Sequence, residues 1–322
     1  MARTKATLGS GARLTDYLST SLLARVFPSP LISELLDKHG CNSQRQRSLP
    51  AAAGVYYCMA LSLYPEAAYG DVFDAVAQGL AWQSRSNAAL ARIKASSISN
   101  ARTRLSWPIL KDLQERACQA LALAQSCPSA FYRGLRLMAI DGSNFDVPDE
   151  PANVAAFGYP GSRTGVAGYP QAQCAILVEC ATHAIVGANI GAYRDAEWTL
   201  AKPLLGRLDA SMLCLADRGF NGYEHWCAAR ATVESVFDEL KTHLHQSRRV
   251  LRSKTPDLVR QEFYGWVLAH YAVRWLMHSA GGRYDLEPRQ LSFVANVQHL
   301  RAQQLQSGAF PPSAPEAAQA LV

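Results

Sequence analysis

Two aspartates stand where runs of apolar residues stop. Leu135-Arg136-Leu137-Met138-Ala139-Ile140 leads into Asp141-Gly142-Ser143, and Ser211-Met212-Leu213-Cys214-Leu215-Ala216 leads into Asp217-Arg218-Gly219-Phe220. If both runs are buried strands, both carboxylates sit just past strand ends, where open α/β sheets place ligand-binding groups. Two carboxylates from neighbouring strands could share Mg²⁺ or Mn²⁺, hard cations that take oxygen ligands and retain waters. A third carboxylate from a facing helix would complete a two-metal site for in-line phosphoryl transfer. Asp-Gly and Asp-Arg-Gly are also ordinary turn sequences, so position alone leaves a purely structural role open.

Other reactive residue types point to less. The eight cysteines form no C-x-x-C pair and mostly lie in apolar runs, such as Tyr57-Cys58-Met59-Ala60. Buried reduced thiols are expected, in place of a zinc site or a disulfide framework. Arg102 and Arg104 end a Ser/Asn-rich stretch that begins at Ser96. It reads as a helix whose first turn could face phosphates, or as the solvated basic face of a small bundle. A second basic group gathers at Lys241, Arg248, Arg249, Arg252, Lys254 and Arg260 with few acids between. The net charge of +6 permits a nucleic-acid partner without requiring one.

The elements that would hold these residues follow from periodicity. With 49% hydrophobic and 18% charged residues over 322 positions, the chain can bury a sizeable core, which excludes a disordered protein. Helical spacing is expected at Leu31, Ile32, Leu35 and Leu36, at Val55 to Leu63 after Pro50, and at Val72, Phe73, Val76 and Leu80. Pro108 opens a further helix through Ala122. After Pro128 the pattern becomes strand-like. Ala175 to Val178 and Ala184 to Ala188 form a hairpin around Thr182-His183, the Gly-rich stretch from Phe157 to Pro170 is a loop, and Glu197 to Leu208 is a helix. The order of strands and helix predicts an α/β fold with a mixed sheet. Helices return at Asn221, Val233 to Leu244, Pro256 to Met277 and Leu291 to Leu305. The best apolar run, Phe263 to Met277, is interrupted by His270 and Arg274, so no membrane span is expected. With no secretory signal visible, a soluble cytoplasmic protein is the expectation.

Three segments, taken together, resemble a family. Ala139-Ile140-Asp141-Gly142-Ser143, Leu215-Ala216-Asp217-Arg218-Gly219-Phe220 and Glu234-Ser235-Val236-Phe237-Asp238-Glu239-Leu240-Lys241 look like the three blocks of DDE transposases of the insertion-sequence-four type. Arg45-Gln46-Arg47-Ser48-Leu49-Pro50 resembles part of that family's N-terminal domain, and Leu251 through Tyr271 its C-terminal helices. The resemblance implies an RNase H-like core at residues 131–250, an N-terminal helical DNA-binding domain at 1–130 and C-terminal helices at 251–305; the end of the chain, 306–322 with Phe310-Pro311-Pro312, reads by itself as a disordered tail. It implies Asp141, Asp217 and Glu234 as catalytic residues and as ligands of Mg²⁺ or Mn²⁺. Arg230, Glu234 and Lys241 fit the family's signature spacing, with Cys227 at its tyrosine position. Arg230, Lys241, Arg252, Arg102 and Arg104 are the DNA-binding residues the resemblance suggests. The implied partner is double-stranded DNA, both element ends and target, bound by a chain that could act as a homodimer.

One interval departs from the family. About a hundred residues usually separate the second aspartate from the glutamate, and here Glu234 follows Asp217 by seventeen positions. No strand-like run lies between them, so the core is expected to lack its last strand, as after an internal deletion. A straight helix from Gly222 would carry Glu234 about 18 Å along its axis, against a metal separation of about 4 Å. Three readings stand: a working transposase, a catalytically dead DNA-binding remnant that represses a full-length relative, and a metal-dependent nuclease or phosphatase that needs only the two strand-end aspartates.

Overall fold

The structure is a computed structural model that describes residues 22–43, 49–65, 67–73, 76, 95–161, 168–216, 236–244, 250–284, 286–287 and 290–302. Asp217, Arg230 and Glu234 lie outside the described residues, as do the 221 helix start and the tail.

The front of the chain is helical, as expected. Helix α1, Ser29–Lys38, starts at a proline-flanked turn and buries Ile32, Leu35 and Leu36 on one face. Helix α2, Ala51–Leu63, begins behind Pro50 and is buried on every side from Gly54 to Leu63. A helix apolar all round belongs inside a core. Val72, Phe73 and Val76 are helical and buried, while Leu80 lies outside the described residues. Helix α3 is Ala95–Arg104, and α4 is Pro108–Ala117. The expected extension of α4 to Ala122 does not form. Arg207 donates to the carbonyls of Glu115 and Cys118 at the helix end, both at 2.9 Å. Beyond it, the amides of Leu121 and Ala122 donate to the buried Glu179 carboxylate at 2.9 and 3.0 Å. Side chains from elsewhere satisfy groups that another helical turn would have used.

A five-stranded sheet follows. Strand β1, Phe131–Tyr132, turns through Arg133 and Gly134, both at positive φ, into β2, Leu135–Asp146. Helix α5, Pro151–Phe157, which the sequence reading overlooked, ends at Gly158 with φ 77°. Strands β3, Gln171–Glu179, and β4, Ile185–Ala192, form the expected hairpin. Helix α6, Glu197–Ala201, passes into a 3₁₀ turn over Lys202–Arg207, because Pro203 has no N–H to continue an α-helix. Strand β5, Met212–Leu215, closes the order. β2, β3 and β4 are successively antiparallel, and β5 lies parallel to β2 on its other edge. This is the mixed α/β arrangement expected. Among the described residues no strand follows β5, apart from a single parallel bridge between Asp146 and Val250.

The sheet's two faces are covered differently. Ala139 and Phe145 share a large core with the front helices and with α7, Pro256–Tyr284, which is longer than the expected Pro256 to Met277. Met138 and Ile140, on the opposite face, pack with Leu177, Ala201 and Leu204. Helix α7 presses against α2 so closely that a Cβ on Gly265 would stand 2.5 Å from the Cys58 carbonyl oxygen. Helix α8, Phe293–Ala302, is the last described element. No helix among the described residues is long and apolar enough to cross a membrane.

Candidate active site

Asp141 does not sit beyond a strand end. It pairs with Ile176 in the middle of β2, and the ladder continues through Gly142, Ser143 and Asn144 to Asp146. Gly, Ser and Asn favour a turn in isolation, but β3 continues the antiparallel ladder opposite all three, as Ala175, Cys174 and Gln173. Phe145 is held edge-on between Phe263 and Trp266 of α7, at 5.9 and 5.4 Å. Tertiary pairing and packing override the local preference. Alternation along the strand then puts Asp141 on the face of Ser143 and Phe145, toward the helical body. Its Oδ1 accepts the Gly142 N–H at 2.8 Å. Gly142 is turned to the other face, where its missing Cβ makes room for the Glu197 side chain, 2.5 Å from where that atom would be.

Lys241 comes to the same face. It lies on a π-helix, Glu239–Leu244, preceded by buried Val236 and Phe237. Its ammonium donates to Ser143 Oγ at 2.5 Å and stands over the rings of Phe145 and Phe237, 5.1 and 5.7 Å from their centroids. Burial lowers its pKa below the ordinary lysine value, with Cys174 and Asp146 opposing the shift. Cys174, also at this face, is fully buried; its thiol contacts the Ser143 carbonyl at 3.2 Å, and burial pushes it up to about 12. It is a packing residue and no nucleophile at neutral pH.

A polar cluster behind Lys241 was not read from the sequence. Glu239 Oε2 accepts from His270 Nε2 at 2.7 Å and from Arg274 Nε at 3.1 Å, and its other oxygen pairs with the Arg274 guanidinium. His183 Nδ1 lies 3.0 Å from Glu239 and 2.8 Å from Arg274. Burial opposes ionisation of Glu239, yet hydrogen bonding by His183 and His270 and the Arg274 charge outweigh it, holding the carboxyl well below its usual range. His270 shifts down through burial and stays neutral, its Nδ1 without a partner. The signal was present: His270 and Arg274, one turn apart, are the two interruptions of the apolar run from Phe263 to Met277. A buried arginine needs a partner of opposite charge, and a buried imidazole N–H needs an acceptor.

The predicted DNA-contacting arginines divide. Arg102 is 4% exposed; it donates to Gln261 Oε1 at 3.0 Å and Ser253 Oγ at 3.3 Å and lies over Tyr69. Arg252 donates to the carbonyls of Pro65 and Ala67 at 3.0 and 3.3 Å and stacks on the same ring. Both are occupied in joining the front helices to the start of α7. Arg104 is exposed and lines a surface cleft of about 360 Å³ with Asn42, Ser43 and Pro50.

For a divalent ion, Asp141 offers the right chemistry, a half-buried hard oxygen donor. Among the described residues no three His, Cys, Asp or Glu side chains stand together as a metal site. Asp217, Glu234 and Arg230 are outside those residues.

Comparison with known proteins places these features in context. Residues 18–115 match the family profile described as insertion element 4 transposase N-terminal. Transposase InsG for insertion sequence element IS4 of Escherichia coli (strain K12) is 24% identical over 311 residues, covering 69% of this chain and 70% of that protein. Putative transposase InsZ of the same organism is 30% identical over 90 residues, 28% of this chain and 30% of its own length. No solved structure matches.

Proposed function

We propose that this chain, a relative of the insertion-element-4 transposases, binds the ends of a DNA element and cuts a strand there in a reaction that depends on Mg²⁺ or Mn²⁺. The observation that carries the reading is the pairing around Asp141. β2, β3 and β4 run antiparallel in succession and β5 returns parallel beside β2, the strand order an RNase H-like core requires. Residues paired between β2 and β5, such as Ala139 and Leu215, differ by 76 positions, and Asp141 and Asp217 are separated by the same 76. That equal offset is the one that a site taking one carboxylate from β2 and one from the chain after β5 would need.

Asp141, Asp217 and Glu234 would hold the ions, which would polarise the phosphate and lower the pKa of an attacking water. Lys241, a half-buried cation on the face of Asp141, would hold a phosphate oxygen of the bound strand. Its amine is preorganised by Ser143 and by two aromatic rings, so little side-chain entropy remains to be lost on binding. Arg104 would extend the contact from the exposed side of the front helices. A homodimer that brings two element ends together belongs to the same proposal.

A second reading, the catalytically dead remnant, has its own support. The 311 aligned positions of the E. coli relative exceed the 69% of 322 residues, about 222, that they cover here, so about 89 positions find no residue in this chain. An internal deletion would give that arithmetic, and it agrees with the short interval from Asp217 to Glu234.

The test is a nicking assay with the full chain, element-end duplex and Mn²⁺. The enzyme reading expects strand cuts that Asp141→Asn reduces at least about a hundredfold while end binding is retained. Salt-sensitive end binding with no cuts at any protein concentration would select the remnant. Preference for free nucleotides over duplex ends would select the nuclease or phosphatase and overturn both.

A further inference from the structure

The π-helix that carries Lys241 faces two ways. Glu239 and Lys241 are two residues apart, which on a helix puts them on nearly opposite sides. Glu239 points to α7 and to the turn between β3 and β4, where Arg274, His270 and His183 receive it. Lys241 points to β2 and meets Ser143. The six-residue π segment starts at Glu239. Widened turns of this kind cost hydrogen-bond geometry and are found where a helix must re-aim a side chain.

From this juxtaposition we infer that Glu239 is a positioning residue: its grip on α7 sets the rotation of the π-helix and so holds Lys241 against Ser143 beside Asp141. Apolar side chains of similar volume would hold the segment as firmly as this buried ionic cluster or more so. What they would lack is direction. A carboxylate held from three sides by a planar guanidinium and two imidazoles has one orientation, whereas a leucine in an oily pocket can rotate. The aromatic contacts of Lys241 with Phe145 and Phe237 require that orientation, because one ring belongs to the sheet and the other to the same helical segment. The inference rests on the proposed function only for what Lys241 does once placed.

The experiment reads Lys241 directly. The full chain is treated briefly with a water-soluble amine-acylating ester, and each lysine's labelling rate is followed by peptide mass spectrometry. In the unaltered chain Lys241 should react at least about tenfold more slowly than the exposed Lys38 and Lys254. In Glu239→Gln and in Arg274→Lys its rate should rise at least about fivefold, while the rates of Lys38, Lys111, Lys202 and Lys254 stay level. A double variant, Glu239→Leu with Arg274→Met, removes the buried charges together. It should recover stability and still leave Lys241 fast.

Slow labelling of Lys241 in that stable double variant would overturn the inference, because the cluster would then be merely structural. So would an unchanged Lys241 rate in the folded single variants, or a rise shared by every lysine. If Glu239→Gln fails to fold, Arg274→Lys and the double variant decide. No DNA enters the measurement, so a chain that labels as expected and never nicks would sink the proposed function and leave this inference standing.

Discussion

Arg102 and Arg104 sit two residues apart in one short helix and have opposite fates. Arg102 is buried and shares Gln261 with Cys58, whose thiol lies 3.3 Å from the same amide oxygen and is pushed up to about 11 by burial. Replacing Arg102 by Met would leave Gln261 and Ser253 short of a donor, at a cost of about 2–4 kcal/mol in urea unfolding. Arg104→Met, at an exposed position, should stay within about 0.5 kcal/mol of the unaltered chain. If Arg104 meets phosphate, its loss should weaken element-end binding and reduce the salt slope by about one. Equal stability of the two variants would contradict the burial of Arg102. Unaltered binding by Arg104→Met would remove Arg104 from the proposed DNA contacts.

Among the described helices, α2 and α7 form the most extensive joint. Gly265 lets the Cys58 carbonyl approach where a side chain would stand, so α7 can lie directly on the most buried front helix. Gly265→Ala places a methyl 2.5 Å from a backbone oxygen, and backbone cannot swing aside as a side-chain tip can. Overpacking of this kind costs about 1–3 kcal/mol. The urea midpoint should fall, and because Tyr264 donates to the Ala188 carbonyl from the same turn, the sheet should loosen with the helix. A midpoint equal to that of the unaltered chain would mean that the helices can part without loss. The joint also explains why Arg102, Arg252 and Gln261 are spent internally: they satisfy backbone and side-chain polar groups where three segments meet.

For the molecule as a whole, acid is the condition to test. Burial lowers His270 and His278 below the ordinary value of 6.5, and Glu239 is held below its ordinary 4.5. At each group the unfolded chain binds protons more readily than the folded one, so stability rises with pH. The histidine contributions are complete above about pH 6.5 and are lost as pH falls through the lower folded values. The Glu239 contribution is complete above about pH 4.5 and is lost further down. Urea midpoints should therefore drop between pH 7.5 and 5, and His270→Gln should flatten that drop. A midpoint independent of pH across this range would show that the buried histidines are not linked to folding.

Much of this was legible in the residues. Apolar runs at period 3.6 gave α1, α2 and α7, alternating and continuous runs gave the β3–β4 hairpin and β5, and three short blocks pointed to the transposase likeness later found by comparison. Those features are local, since burial of one face demands its period within a few residues. The tertiary structure decided what local signals cannot carry. Asp141-Gly142-Ser143 is strand because β3 pairs with it, although its residues favour a turn. Helix α4 stops at Ala117 because Arg207 and Glu179 arrive from far along the chain. Arg102 is interior and Arg104 exterior because α7 covers one side of their helix. Glu239 gains its role only when α7 and a distant turn converge on it, for a carboxylate's partners are set by packing and not by its neighbours in sequence.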